Sequence, residues 1–329
     1  MFVTDRCDVA GASLAYDLFP TDRPDAPWLI LVMGFGVQRI HWPDGFCEEL
    51  AAHGLCVVRF DLRDSGESRI AHAPSPWQVG LHALRTALRG RILDGLDARA
   101  LFQGTLPYSL DALADDVIAL MDHLGAEKAH LVGMSFGGAV AQHAACRHPQ
   151  RVRSLVSIAS TTGKLSVSMP TRRALPVMLA APAKTREAAE AAFLAALSVV
   201  GSKTLRTPED DARRIAAQAF EREEAPEGRW RMLFAMLAAG DRTEALKTLR
   251  VPTLVLHGAD DPLVPPRAGE ATAAAIRGAS LQIVGGMGHD LPPALWPQLT
   301  SDIAKHAFAA EPYVPRPAND LVAPLGGSR

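Results

Sequence analysis

The chain has 329 residues, with 34 basic and 36 acidic side chains for a formal charge of −2, 48% hydrophobic residues and four cysteines. At roughly 150 residues per domain this length allows about two units or one long α/β domain. A near-neutral balance without a lysine or arginine block excludes the electrostatic footprint of phosphate-backbone binding, so nucleic acid is not an expected partner.

The opening residues 1–6 carry no basic region followed by an apolar run and a small-residue cleavage site, which predicts a cytoplasmic protein. Apolar stretches 174–183 and 191–200 fall short of the ~20 residues of a spanning helix, so no membrane span is expected. Cys7, Cys47, Cys56 and Cys146 form no Cys-x-x-Cys pair, so neither zinc spacing nor a disulfide framework is visible. No metal and no cofactor are expected.

In chain order, residues 12–19 alternate loosely ahead of a proline-rich turn and read as an extra strand at a sheet edge. Runs rich in Val, Ile and Leu follow at 28–33, 57–60, 129–132, 154–159, 253–257 and 281–284. Nearly continuous apolar runs of this kind suit parallel strands covered by helices on both faces. They predict a doubly wound, mostly parallel α/β sheet. Between them, residues 72–107 form a long insertion whose leucines and arginines (Leu81, Leu84, Arg85, Leu88, Arg89) suggest a helix outside the sheet. Leu110, Leu113, Val117, Leu120 and Leu124 lie three and four apart, an apolar helical stripe, with Asp111, Asp115, Asp116 and Asp122 expected off it. Ser109 is its expected N-cap and Gly125 its stop.

Residues 164–248 hold helical patterns at 186–200, 209–222 and 230–239 and no strand candidate. They predict a helical cap over the strand ends, with 1–163 and 249–310 as the core. The tail 311–329, with four prolines and a Gly-Gly-Ser-Arg end, is expected to be flexible.

The strongest motif is Gly133-Met134-Ser135-Phe136-Gly137-Gly138. It fits the Gly-x-Ser-x-Gly nucleophile elbow, in which a serine sits on a strained strand-to-helix turn and a side chain at either glycine would crowd the backbone. An apolar strand precedes it and a helical run, 139–147, follows. A serine hydroxyl needs a base to take its proton. His289, in a glycine-rich loop after the last strand, is the best candidate. The imidazole needs a carboxylate to fix its tautomer, and Asp261 lies just past the strand 253–257. Its neighbour Asp260 is not excluded by position, although the following Pro262 favours Asp261. The chain order Ser135, Asp261, His289 is the one expected of an α/β-hydrolase. Backbone amides of Phe35, in the turn Met33-Gly34-Phe35-Gly36, and of Phe136 are suited to an oxyanion hole. The two phenyl side chains, with Met134 and Met287, are then expected near the floor of an apolar pocket.

On these residues the chain resembles a serine α/β-hydrolase with a cap. The loop Asp61-Leu62-Arg63-Asp64-Ser65-Gly66-Glu67-Ser68 is similar to that family's Asp-x-Arg-x-x-Gly-x-Ser loop, in which Asp61, Arg63 and Ser68 are expected to tie backbone together. The stretches 28–36, 107–110 and 160–163 are similar to esterases of the aclacinomycin methylesterase type. The resemblance implies hydrolysis of a hydrophobic small-molecule carboxylic ester through an acyl-enzyme, without a cofactor. The alternatives are C–C bond hydrolysis or perhydrolysis by the same triad, or a non-catalytic binder that kept the fold.

Overall fold

The computed structural model describes residues 2–23, 25–75, 77–81 and 106–311. Among the described residues nine strands build one sheet: β1 (Val3–Val9), β2 (Ala12–Phe19), β3 (Trp28–Val32), β4 (Cys56–Phe60), β5 (Arg69–Ile70), β6 (Ala129–Met134), β7 (Val152–Ile158), β8 (Thr253–Gly258) and β9 (Ser280–Val284). Their spatial order is β1-β2-β4-β3-β6-β7-β8-β9, with short β5 pairing to β2. From β4 to β9 every pairing is parallel, whereas β2 runs antiparallel to β1, β4 and β5. The order reverses between β3 and β6. Such a switch point opens a crevice at the carboxyl ends of the two strands, and the loops beginning at Met33 and Ser135 leave the sheet there.

Three expectations change. Strand β1 was not foreseen because five of its seven residues are exposed or polar-facing and only Cys7 is buried; an apolar-run criterion cannot see it. With β1 in place, Ala12–Phe19 is the second strand and not the edge. At the other end, Leu281 and Ile283 of β9 are each 40% exposed, so this strand is covered on one face only, as befits an edge.

Helices α1 (Asp44–Ala52), α2 (Leu110–His123) and α3 (Phe136–Arg147) precede a helical stretch comprising α4 (Leu165–Ser168), α5 (Leu175–Met178), α6 (Arg186–Val200), α7 (Glu209–Arg222), α8 (Gly228–Ala239) and α9 (Thr243–Thr248). Helices α10 (Pro266–Ala275) and α11 (Trp296–Ala309) follow. Packing α2 and α3 together covers one face of the sheet, and α1 with α11 covers the other. Strand β6, between these layers, is buried along its whole length.

Helix α2 follows its apolar spacing: Leu110, Leu113, Val117 and Leu120 are buried. The Ser109 hydroxyl accepts from Ala112 N at 3.4 Å, and Gly125 after the last turn has φ +71°. Asp116 departs from expectation. It is 2% exposed and receives both Arg63 Nε, at 2.6 Å, and Arg63 Nη2; a buried carboxylate of this kind is tolerated because a planar guanidinium meets both oxygens. The rest of that loop ties backbone together as expected. Asp61 accepts from the Arg39 and Glu67 amides, and the Ser68 hydroxyl donates to Asp61 O at 2.7 Å while accepting from Ala15 N at 2.9 Å.

Between β7 and β8 the described chain is helical and contains no strand. Of the insertion read at 72–107, residues 76 and 82–105 lie outside the described residues, and 77–81 are helical. The tail from residue 312 lies outside them too. Among the described residues no helix is long and apolar enough to cross a membrane.

Candidate active site

Ser135 joins β6 directly to α3, and no loop residue softens the turn. Its backbone takes φ 56°, ψ −122°, a region that costs a non-glycine residue about 1–3 kcal/mol. The surroundings over-determine this conformation: Ser135 N donates to Ile158 O at 2.8 Å, and its carbonyl accepts from Ser160 Oγ at 2.7 Å and Gly138 N at 3.0 Å. The motif glycines permit the turn. A Cβ on Gly133 would lie 2.3 Å from Gly137 O, and one on Gly137 would lie 2.1 Å from Val32 O. Neither position has room for alanine.

The structure brings Asp261 and His289 together, with Asp261 Oδ2 2.7 Å from His289 Nδ1. The carboxylate is fully buried. Its other oxygen accepts from the amides of Leu263, at 2.9 Å, and Val264, at 2.8 Å, so it is fixed before it meets the imidazole. Asp260, the alternative left open by position, is exposed. Burial works to lower the His289 pKa, but the charge and hydrogen bond of Asp261, helped by Asp290, outweigh it and hold this group above its ordinary value. Among the described residues no hydrogen bond joins Ser135 Oγ to His289; such contacts commonly tighten only with substrate in place.

Phe136 N heads α3, where no intrahelical acceptor exists for the first amides, and the helix dipole adds positive character at that end. Gly34 lies against the serine: a Cβ there would sit 3.1 Å from Ser135 Cβ. Phe35 follows Gly34 and Phe136 follows Ser135 in the chain, and neither amide donates to another backbone group among the described residues.

A cavity of about 1870 Å³ opens over these groups, lined by Phe35, Met134, Ser135, Phe136 and His289 from the sheet loops and by side chains of α4 to α8. Met287 is a correction. It is fully buried beneath β8 and β9, packed in the layer that includes Leu256 and Ile303, and does not line the cavity. Its carbonyl accepts from Asp260 N at 3.0 Å, a bond that ties the His289 loop to the loop that carries Asp261.

Several contributors had no sequence signal. The His289 loop is held from α6 and the residues after it: His289 N donates to Val200 O at 2.7 Å, Gly288 N to Ser202 Oγ at 2.9 Å, and Asp290 accepts from both Ser202 N and Ser202 Oγ. His257, fully buried, stands 3.7 Å from Asp261 and donates through Nε2 to Val264 O at 2.7 Å. Burial lowers its pKa, which leaves the charge of Asp261 to His289. Only the i, i+4 spacing of His257 and Asp261 hinted at that contact.

A family model described as alpha/beta hydrolase fold matches residues 27–292. The chain belongs to the alpha/beta hydrolase fold family. Among its relatives, rhodomycin D methylesterase of Streptomyces sp. (strain C5) is 29% identical over 313 residues, which is 88% of this chain and 93% of that protein. The 2-hydroxymuconate semialdehyde hydrolase of Pseudomonas sp. (strain CF600) is 30% identical over 192 residues, 55% of this chain and 62% of that one. Among solved structures, a thermophilic esterase from Thermogutta terrifontis superposes with a TM-score of 0.66 at 24% identity, covering 94% of this chain and 99% of that chain.

Proposed function

We propose that this alpha/beta hydrolase is a serine esterase that cleaves carboxylic esters, with methyl esters of large apolar molecules as the substrate class. One observation carries the reading: a serine on a strained elbow and a His289 paired with the buried Asp261 line one largely apolar cavity together with Phe35 and Phe136. His289, neutral, takes the Ser135 hydroxyl proton as Oγ attacks the ester carbonyl. The Phe35 and Phe136 amides hold the oxyanion. The imidazolium, stabilised by Asp261, returns the proton to the leaving alcohol, leaving an acyl-serine. Water then enters, gives its proton to His289 and releases the acid, with Ser135 reprotonated.

Residues 164–248 act as a cap that selects the substrate. At about 1870 Å³ the cavity exceeds the ~300–1,000 Å³ of ordinary small-molecule sites, which fits a multi-ring ester. The full-length likeness to a rhodomycin D methylesterase supports the methyl-ester class. A panel setting methyl esters of polycyclic aromatic acids against vinylogous diketones at matched concentration tests it. Esters should be cleaved at least about tenfold faster by kcat/KM, a difference of ~1.4 kcal/mol in barrier; faster C–C cleavage would reject the ester assignment.

A further inference from the structure

Arg229, the second residue of α8, is half-buried at the cavity wall without a carboxylate. Arg39, Arg59, Arg63 and Arg231 are all buried against acids. Arg229 meets none among the described residues, and burial alone pulls its pKa down. A half-buried guanidinium with no acid beside it must place its donors on other acceptors, and here those are backbone carbonyls. Nη1 donates to Gly36 O at 3.3 Å, Nη2 donates to Val177 O at 3.1 Å and Met178 O at 3.2 Å, and the guanidinium carbon lies 4.7 Å from the Phe35 ring centroid. Nε, also buried, has no partner among the described residues.

The loop it grips holds one of the two oxyanion amides. Met33-Gly34-Phe35-Gly36 has glycine on both sides of Phe35, and Gly36 takes φ +65°. Two glycines leave such a turn little stiffness of its own, so the Phe35 amide must be aimed from outside. Gly36 is shaped for this grip: a Cβ there would lie 2.2 Å from Arg229 Nη1. The helix that carries Arg229 is itself anchored, because Arg231 bonds both oxygens of Asp64 at 2.6 and 2.7 Å. The other two acceptors are the closing carbonyls of α5, the groups a helix end leaves unsatisfied.

We infer that Arg229 is a positioning residue through which the cap holds the oxyanion loop, so that a closed α5 and a correctly aimed Phe35 amide are secured by one guanidinium. The inference rests on the proposed esterase mechanism. Displacing α5 removes two of the three carbonyl acceptors and frees Arg229 to leave Gly36, so the oxyanion hole is complete only under a closed cap.

The test uses the full chain and a neutral ester, p-nitrophenyl butyrate, together with its anionic counterpart, the p-nitrophenyl monoester of glutaric acid. Arg229→Met should lower kcat on the neutral ester by about 10- to 100-fold, short of the ~10²–10³-fold loss of a whole oxyanion donor, with KM changed less than about threefold. Arg229→Lys, which keeps the charge but not the fork, should recover part of kcat. Fluorophosphonate should still label Ser135 to full stoichiometry in both variants, but more slowly. An unchanged kcat on the neutral ester, or a KM increase confined to the anionic ester, overturns the inference, the latter by making Arg229 a substrate contact. Should Arg229→Met not fold, Arg229→Lys decides: wild-type kcat in a folded lysine variant is the contrary result. Ser135→Ala separates the two levels, since full activity there removes the esterase mechanism itself, whereas an inactive Ser135→Ala beside a fully active Arg229→Met removes only the role of Arg229.

Discussion

His289 takes its protonation behaviour from two acids that differ in kind. Asp261, buried and fixed by two amides, lies on its Nδ1, and Asp290 adds a second negative charge from the next position. Together they raise its pKa against burial. A base must be neutral to act, so kcat/KM should rise with pH through a midpoint above the ordinary 6.5 of histidine. In Asp261→Asn the midpoint should fall and kcat should drop by about 10⁴; a pH–rate profile reads both. The same raised pKa contributes folding stability that is fully present below the unfolded value and lost as pH rises through the folded one. Ser135, Asp261 and His289 were readable as candidates because Ser135 stands between Gly133 and Gly137 directly after an apolar strand, while Asp261 precedes Pro262 and His289 follows Gly288 in loops after two more. Met287, two residues before His289, could not be placed by the same adjacency: a neighbour in sequence shares the loop, but the backbone turn between them sends the two side chains to opposite sides.

At the level of elements, the elbow works because β6 and α3 approach so closely that atoms at Gly133 and Gly137 touch backbone. Gly137→Ala would drive a methyl group to 2.1 Å from Val32 O and 2.5 Å from Met33 O, at the end of β3 and the start of the turn that leads to Phe35. Backbone cannot yield as a side chain tip can. The expected cost is about 3 kcal/mol or more, read by denaturant unfolding, with activity lost even in the fraction that folds. This contact was legible as a motif. Strand β1 was not, since an edge strand that shows polar residues to solvent carries no apolar run, and Asp116 was misread because helical periodicity cannot distinguish a solvated acid from one that meets a buried arginine across the loop.

For the whole molecule, the central sheet was readable from its apolar runs, and the helices of 164–248 from theirs. The contacts that join them were not. Arg222 reaches Glu67 at 2.7 Å, Glu223 accepts from Gln38 at 3.2 Å and Gly66 N at 3.4 Å, and Arg231 holds Asp64. Each pair is separated by more than 150 positions, and no local pattern links them. They fasten the helices of 164–248 to the loops after β3 and β4, while α6 grips the His289 loop and α8 reaches the Gly34–Gly36 turn. On the proposed function, these helices belong to the catalytic geometry as well as to the wall of the cavity. All of this converges on one hydroxyl. Reaction of the intact protein with a fluorophosphonate, followed by peptide mass spectrometry and a residual assay on p-nitrophenyl butyrate, tests the claim most directly. One adduct per chain on Ser135, with hydrolysis lost in proportion and no adduct in Ser135→Ala, is the predicted result; full hydrolysis after complete modification of Ser135 would contradict it.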